Sequence, residues 1–447
     1  MLTVVLLILM LLLLMVSYYV NNKEVLAPSF LFIGSFCFSL VWAVSYANRW
    51  ELNMQLNTFL VILMGSVEFL FFSYITRRFL KVLRRRHKKK DRNFDDVIVT
   101  DSETWKKLIV VLFEIATIYI SYRTIRNVSI SYGKSSNIFI AMGVYDRLLK
   151  FSNDAISTSK IFTYSRIVSR ALGYWYMYIL VNKIVLQKKM DFLTGLIVVL
   201  SLICEVMSGG RNQAFNMLLS LVPFLLFVFK EKNGWKRKIN FKYILLTAAG
   251  AIIVLSSFQF IGKLIGGIAE QTENAFDYLA KYCGAQIKNL NTFLETYDHN
   301  GFHNNIWGSQ TFIYLVRWFG PKLGIHNYYY QLDLPFRYVN GYSLGNVYTT
   351  FYPYIYDFGY IGLVVLVGIM AILMEFIYSK YKDSGLSKRP GIFVLLYGYM
   401  YNSVLLSFFS NKFYEQYFQR TFYRIVIVWI ILEFITRFKF KRARIKR

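Results

Sequence analysis

Long runs of apolar residues recur through this chain of 447 residues and constrain its fold more than any other feature. Charged residues make up only 17% of the chain, against about a quarter in a soluble domain. An α-helix needs about 17–25 apolar residues to cross the hydrocarbon core of a bilayer, and about eleven runs reach that length. The predicted spans are 2–20, 27–46, 57–76, 106–124, 163–186, 191–208, 213–229, 244–262, 357–379, 391–408 and 420–437. The sequence therefore predicts an all-α fold, a polytopic integral membrane helical bundle.

Lysines and arginines cluster between the apolar runs and at the end of the chain. These clusters lie at 77–92, 188–189, 230–238, 380–389 and 437–447. Positively charged loops stay on the cytoplasmic side, and an eleven-helix topology puts every cluster on one side, so we expect the N-terminus outside and the C-terminus inside. The first run lacks a basic start and a small-residue cleavage site, so we expect a spanning helix rather than a cleaved signal peptide.

This topology divides the chain into three parts. Residues 1–262 hold the first eight helices, with a basic cytoplasmic loop at 77–105 and an external segment at 125–162. Residues 263–356 form a large external loop, and residues 357–447 hold the last three helices and a basic cytoplasmic tail. Because binding and catalytic residues concentrate on loops, we expect the functional residues in the external segments.

Several classes of function are disfavoured. The net charge of +27 would suit nucleic-acid binding, but the basic residues stand beside membrane helices, where attraction to anionic lipids accounts for them. We therefore expect membrane lipids as partners and no nucleic acid. The four histidines show no metal-ligand spacing, and the chain has neither a P-loop nor a dinucleotide-binding motif. No metal and no cofactor are expected.

The segment SGGRNQ, residues 208–213, places an arginine between two apolar runs. A charge at such a position is costly and marks a functional site. The guanidinium of Arg211 matches phosphate oxygens in two-point contacts, and Gly209 and Gly210 permit a tight turn whose amides can join in anion binding. We predict an anion site here. The alternative is that Arg211 caps a helix or reaches lipid headgroups.

The large external loop is rich in aromatic and amide side chains, including Trp307 and Trp318. Aromatic faces stack on the C–H groups of sugars while amides pair with hydroxyls, so this composition favours sugar binding. The alternative is an aromatic belt at the membrane surface. The stretch FIYLVRWFG is typical of a re-entrant or surface-lying amphipathic helix. Its Arg317 either faces the same cavity as Arg211 or reaches the headgroups.

Candidate bases are few. His303 and His326 lie in the external loop, and Asp357 stands where the chain re-enters the membrane. A catalytic base titrates near the working pH, which favours a histidine or a buried carboxylate. Two further carboxylates, Glu114 and Glu205, fall inside apolar runs and mark functional positions, although Glu205 could instead pair with a neighbouring arginine.

Three motifs follow one another along residues 160–380: SGGRNQAF, GSQTFIYLVRWFG and NVYTTFYPYIYDFGYIGL. In their order and placement the chain resembles the Wzy-type oligosaccharide repeat-unit polymerases, which build bacterial surface polysaccharides such as O-antigen and capsule. The resemblance implies a GT-C-like architecture in the bacterial cytoplasmic membrane, with the active site facing outside. It also implies a metal-independent transfer of the growing glycan from undecaprenyl pyrophosphate to a hydroxyl of the incoming lipid-linked unit.

The resemblance also implies partners and roles. The partners are the undecaprenyl-pyrophosphate-linked donor and acceptor, a chain-length-regulating co-polymerase and a repeat-unit flippase. Arg211 takes the place of the arginine after the small-residue turn, and together with Arg317 it is predicted to stabilise the departing pyrophosphate. We expect the base to be His303 or Asp357, with His326 next.

Asn346 and Tyr348 take the places of polar residues in the last external motif. With Trp307 and Trp318 they are the predicted glycan-binding residues. A polysaccharide or O-antigen ligase remains an alternative, because it shares the fold and the donor and differs in the acceptor. A transporter or flippase of lipid-linked oligosaccharides is an alternative of another class, and it predicts charged residues along several helices rather than near one face.

Overall fold

The computed structural model describes residues 1–84, 104–151, 158–210, 212–235, 275–297, 308–324, 332–386 and 389–437. The helices are α1 (Leu2–Val20), α2 (Pro28–Ser45), α3 (Leu56–Arg84), α4 (Thr104–Ser131), α5 (Ile138–Phe151), α6 (Lys160–Asn182), α7 (Phe192–Met207), α8 (Asn212–Leu219), α9 (Leu221–Asn233), α10 (Ala275–Cys283), α11 (Ala285–Thr296), α12 (Ile313–Phe319), α13 (Phe351–Asp383), α14 (Ile392–Leu405), α15 (Lys412–Tyr417) and α16 (Arg420–Arg437). A π-helical turn, Lys183–Gln187, follows α6, and a short 3-10 turn, Gly320–Leu323, follows α12. An antiparallel hairpin is formed by β1 (Arg337–Val339) and β2 (Tyr342–Gly345).

Among the described residues, six helices are long and apolar enough to cross a membrane. They are Leu2–Val20, Pro28–Ser45, Leu56–Leu83, Thr104–Ser131, Phe351–Asp383 and the span Asn212–Asn233, which combines α8 and α9. The helices Phe192–Met207 and Ile392–Leu405 are apolar but shorter. Since helices satisfy their own backbone hydrogen bonds in lipid, this architecture confirms the predicted class, an all-α membrane protein. The predicted span 244–262 lies outside the described residues.

The first helix shows why these segments belong in lipid. Only 22% of α1 is buried within the structure, although its mean hydropathy is 2.6. Leu6 and Met10 face the protein, whereas Ile8, Leu12 and Met15 are more than half exposed. A helix that is apolar on every side and buried on one only is stable when hydrocarbon covers the other sides.

The chain divides into two compact units. Unit 1 holds α1 to α3, α10 to α12, the hairpin, α13 as far as Lys380, and Met400–Arg420. Unit 2 holds α4 to α9, Tyr381–Tyr399, and α16 from Thr421. Each unit has a hydrophobic cluster of its own, so segments far apart in sequence build each core.

Aromatic rings join the spanning helices of unit 1. Phe32 of α2 stacks on Phe69 of α3 with ring centroids 4.2 Å apart, and Phe36 stacks on Phe351 of α13 at 5.0 Å. A Cβ atom at Gly65 would lie 2.7 Å from the ring of Phe351. A glycine at this position therefore lets α3 and α13 approach closely.

The predicted external loop of unit 1 has structure of its own. Trp50, Ala285 and Leu344 belong to one buried cluster, which attaches β2 and α11 to the connection between α2 and α3. Asn340 and Gly341 form the hairpin turn with φ values of +49° and +78°. Asn-Gly with two positive φ angles is the combination that two-residue hairpins prefer. The hairpin is thus encoded locally.

Helices α4, α6 and α7 form the centre of unit 2. The indole N–H of Trp429 in α16 donates to the carbonyl of Ala171 in α6 at 2.9 Å. The short helix α5 covers one end, where Met142 packs with Ile125, Phe162 and Met207. Helix α5 lies within the predicted external segment 125–162, and this packing attaches it to α4, α6 and α7.

Candidate functional site

Two arginines of α6 surround one carboxylate of α7 in unit 2. Arg166 and Arg170 stand four residues apart and therefore share one face of the helix. Arg170 makes a two-point contact with Glu205, through Nε to Oε1 at 2.8 Å and Nη2 to Oε2 at 2.5 Å. Arg166 lies 3.7 Å from the same carboxylate and over the ring of Phe162. Glu205 is fully buried. We call Arg166, Arg170 and Glu205 the arginine cluster.

A second buried carboxylate fixes the helices around this cluster. Glu114 of α4 accepts a hydrogen bond from the hydroxyl of Ser169 in α6 at 2.5 Å and another from Ser201 in α7 at 3.0 Å. All three side chains are buried. Because a buried polar group is costly unless it is hydrogen-bonded, these contacts set the relative rotation of α4, α6 and α7. They thereby orient the arginine-bearing face of α6.

The turn Ser208–Gly210 follows α7 within one helical turn of Glu205. The Ser208 hydroxyl donates to the Glu205 carbonyl at 2.9 Å. Gly209 has a φ of +77°, and a Cβ atom there would lie 2.1 Å from the carbonyl oxygen of Met142 in α5. Only glycine combines this backbone conformation with so close an approach. Helix α5 therefore holds the turn in place beside the arginine cluster.

The arginine cluster has the chemistry of an anion site. Two guanidinium groups share the Glu205 carboxylate, so these three side chains together carry one positive charge. Arg170 is committed to Glu205, whereas the buried Nε of Arg166 has no hydrogen-bond partner among the described residues. A buried donor without a partner costs about 1–3 kcal/mol. A phosphate oxygen would satisfy this donor and match the planar geometry of the guanidinium.

The predicted anion-binding glycines, Gly209 and Gly210, lie in this turn, and Arg211 lies outside the described residues. For Glu205 the geometry supports the second of the two sequence interpretations, pairing with a neighbouring arginine. Sequence reasoning missed Arg166 and Arg170. The signal was present, because two arginines four residues apart within an apolar run mark one charged helix face.

Asp357 lies in unit 1, in the first turns of α13. Its carboxylate accepts hydrogen bonds from the backbone N–H of Gln310, at 3.1 and 3.2 Å, and of Thr311, at 2.6 Å. The side chain of Asn411 donates to the Thr311 carbonyl at 3.0 Å. With 2% of its surface exposed, Asp357 fixes the turn before α12. Its role as a base stays a prediction.

Tyr348, a predicted glycan-binding residue, is buried in unit 1. Its ring centroid lies 4.3 Å from that of Tyr352. Its hydroxyl donates to the carbonyl of Pro335 at 3.0 Å and accepts from Nε of Arg337 at 3.3 Å. Burial raises the pKa of Tyr348, which keeps the phenol protonated as a donor. These contacts attach the segment before β1, and the half-buried Asn346 lies between β2 and this tyrosine.

Tyr348 and Tyr352 also line a small cavity in unit 1. Gln310, Ser410 and Asn411 supply polar atoms to its wall. The cavity has a volume of about 30 Å³, which is room for about two water molecules. It is therefore too small for a sugar ring.

Helix α12 coincides with the amphipathic stretch FIYLVRWFG and carries Arg317 and Trp318. The guanidinium of Arg420 lies over the ring of Trp318, 4.7 Å from its centroid. Arg317 is exposed, and its guanidinium lies 5.7 Å from the ring of Tyr314. One face of the Trp318 ring is thus occupied by a cation, and Arg317 contacts a different ring.

The remaining predicted site residues, His303, His326 and Trp307, lie outside the described residues. The predicted residues that are described fall into two sets, Gly209 and Gly210 in unit 2 and Arg317, Trp318, Asn346, Tyr348 and Asp357 in unit 1. Within the described ranges, no group of three or more His, Cys, Asp or Glu side chains could hold a metal ion. No protein-family model, curated protein or solved structure matches this chain. Its function must be argued from its own residues.

Proposed function

We propose that this protein is a glycosyltransferase that polymerises undecaprenyl-pyrophosphate-linked oligosaccharide repeat units on the outer face of the bacterial cytoplasmic membrane. The growing glycan leaves its lipid pyrophosphate and joins a hydroxyl of the incoming lipid-linked unit. One observation carries the proposal: the arginine cluster lies beside the Ser208–Gly210 turn within a bundle of apolar helices. Two buried arginines that share one carboxylate at such a place suit the pyrophosphate of a membrane-bound donor.

The proposal includes an architecture. We propose about eleven transmembrane helices in a GT-C-like arrangement, with the N-terminus outside and the C-terminus inside. The positions of three described lysines support this orientation. Lys107, Lys183 and Lys232 stand at the start of α4 and at the ends of α6 and α9, which this topology places in the cytoplasm. The turn Ser208–Gly210 then faces outside.

The proposed reaction is a substitution at an anomeric carbon. The acceptor oxygen bonds to that carbon while the bond from the carbon to the pyrophosphate oxygen breaks, and negative charge develops on the departing group. Arg166 and Arg211 would stabilise this charge, by about 3 kcal/mol for a well-placed donor. The hydroxyl proton passes to a base, for which His303, Asp357 and His326 are the candidates.

The test is the banding pattern of surface glycan in cells that carry Arg166→Gln or Arg211→Ala, at matched protein levels and beside the wild type and a null. Arg166→Gln removes a charge from the anion site and leaves the Arg170–Glu205 pair in place. We expect both variants to lose the long polymer while single repeat units still reach the surface. Arg424→Gln is the matched control, because it removes the same charge from a side chain that lies over the ring of Tyr164.

The other outcomes discriminate between the alternatives. Loss of all surface glycan, single units included, would support ligation or export, as expected of a ligase or a flippase. Unchanged banding in both variants would contradict the proposal and leave the arginine cluster with a structural role.

A further inference from the structure

The segment that leads into the hairpin of unit 1 turns alternate side chains toward the protein and toward solvent. Leu332 and Leu334 line the small cavity, and Val339 packs against the cluster that contains Trp50. Side chains alternate in this way along an extended chain. The exposed side chains between them are Asp333, Pro335, Phe336 and Tyr338. We call these four residues the exposed strip.

The carboxylate of Asp333 is held in place by contacts on three sides. The backbone N–H of Asp333 donates to the side-chain oxygen of Gln310 at 2.7 Å, and its carbonyl accepts from the hydroxyl of Tyr352 at 2.6 Å. Its Oδ2 accepts from the hydroxyl of Tyr356 at 2.7 Å. Its Oδ1 has no hydrogen-bond partner within the described part of the chain. One acceptor oxygen is therefore fixed and available, which lowers the entropy cost of binding a donor.

Two aromatic rings follow this carboxylate and are largely exposed, Phe336 at 55% and Tyr338 at 67%. Tyr338 pairs with Ser343 across the hairpin, and paired residues share one face of a sheet. The neighbouring Leu344 is buried in the hydrophobic cluster on the other face. The Tyr338 ring and the Ser343 hydroxyl thus lie on the face that is turned away from the core.

A fixed carboxylate next to exposed rings has the chemistry of a sugar site. A carboxylate oxygen accepts hydrogen bonds from sugar hydroxyls, and an aromatic face covers the C–H groups of a sugar ring. A membrane surface suits the rings but not Asp333, because the phosphates of the headgroups repel a carboxylate. Contact with lipid would also not require the three hydrogen bonds that hold Asp333.

The glycan-binding residues predicted from the sequence are less open than the exposed strip. Tyr348 is buried, and one ring face of Trp318 is occupied by Arg420. We infer that the exposed strip binds the surface glycan, with a sugar hydroxyl on Oδ1 of Asp333 and sugar rings on Phe336 and Tyr338. The inference rests on the proposed function for the identity of the glycan. It concerns binding and involves no covalent step.

The test is the binding of purified surface glycan, taken from wild-type cells, to the immobilised full chain in a neutral detergent. Dextran at the same mass concentration is the comparison, and we expect the wild type to bind the surface glycan alone. Tyr338→Ala should weaken binding about three- to tenfold through loss of a stacked ring, and Tyr338→Phe should keep it. Asp333→Asn should weaken binding about tenfold or more, because a hydrogen bond to a charged group is lost.

Further variants keep the test decisive. Tyr132→Ala removes a tyrosine of unit 2 that is 43% exposed, and it should bind as the wild type does. If Asp333→Asn does not fold, Tyr338→Ala and Phe336→Ala decide, since both replace exposed side chains. Equal binding of dextran, or no binding of the surface glycan by the wild type, would overturn the inference. So would unchanged binding in folded Tyr338→Ala and Phe336→Ala proteins, which would assign the rings to the membrane surface.

This binding test can fail separately from the proposed polymerase activity. Unchanged banding in the Arg166→Gln and Arg211→Ala cells, together with glycan binding that depends on Tyr338, would contradict the polymerase and leave the sugar site standing. Loss of the long polymer in those cells, with no change of binding in the variants of the exposed strip, would do the reverse.

Discussion

Arg170 and Glu205 form a buried ion pair whose partners depend on each other. Glu205→Ala leaves the Arg170 guanidinium buried without its two-point partner, a change that typically costs about 3–5 kcal/mol. We expect a clear fall in the Tm of the purified protein in detergent. The double variant Arg170→Leu/Glu205→Leu should be less destabilised than the sum of the Arg170→Leu and Glu205→Leu variants, because the Arg170 charge is removed together with its two-point partner. Additive losses in this cycle would contradict a direct pair.

For single residues, the sequence indicates which side chains are unusual in their surroundings but not which residues they contact. Glu205 stands out because it is a carboxylate in an apolar run, and its partner Arg170 is 35 residues away. Asp357 stands out for a similar reason, yet the amides that it binds are 46 and 47 residues away. Contacts over such distances leave no local pattern. The sequence therefore identifies these carboxylates as candidate functional residues. It does not distinguish a structural role from a catalytic one.

At the scale of elements, the first turns of α13 serve as an attachment point for the chain before the hairpin. The Tyr352 hydroxyl donates to the carbonyl of Asp333 at 2.6 Å, and the Tyr356 hydroxyl donates to its carboxylate at 2.7 Å. The two tyrosines stand four residues apart and so share a helix face. Together with Tyr348 they fix the course of the segment from Asp333 to Pro335.

Tyr356→Phe tests this attachment. It removes one hydrogen bond to a carboxylate and should cost about 1.5–3 kcal/mol if the bond is well formed. Limited proteolysis should then cut between Leu332 and Phe336 faster than in the wild type. Tyr338→Phe is the control, since the ring of Tyr338 is 67% exposed and its loss should leave the cleavage rate unchanged. Equal cleavage rates in all three proteins would show that Tyr356 does not restrain the segment.

Hydropathy predicts where helices cross the membrane better than it predicts where they end. The predicted spans 57–76 and 106–124 correspond to the longer helices Leu56–Arg84 and Thr104–Ser131. Charged residues end an apolar run without ending a helix, because lysine and arginine are good helix formers. The short helices of the predicted external segments, such as α5, were not predicted from hydropathy. Their composition is mixed, and their stability comes from packing on distant residues such as Met207.

At the scale of the whole molecule, the proposed topology can be tested with cysteine labelling. The three native cysteines are buried and free, so the background should be low. Tyr338→Cys, in the exposed hairpin, should react with a membrane-impermeant maleimide in intact cells. Lys188→Cys, after the π-helical turn, should react only once the membrane is permeabilised. The reverse pattern, or labelling of both in intact cells, would contradict the proposed orientation.

The break in α13 separates Asp357 from the part of the helix that is long enough to cross the membrane. Gly359 has a φ of +67° and a ψ of −163°, so the helix axis changes direction there. The part of α13 beyond the break has about 24 residues, and at 1.5 Å per residue it extends about 36 Å. That length exceeds the thickness of the hydrocarbon core, about 30 Å. The residues before Gly359 can therefore remain at the level of the headgroups, and Asp357 is shielded from water by protein rather than by lipid.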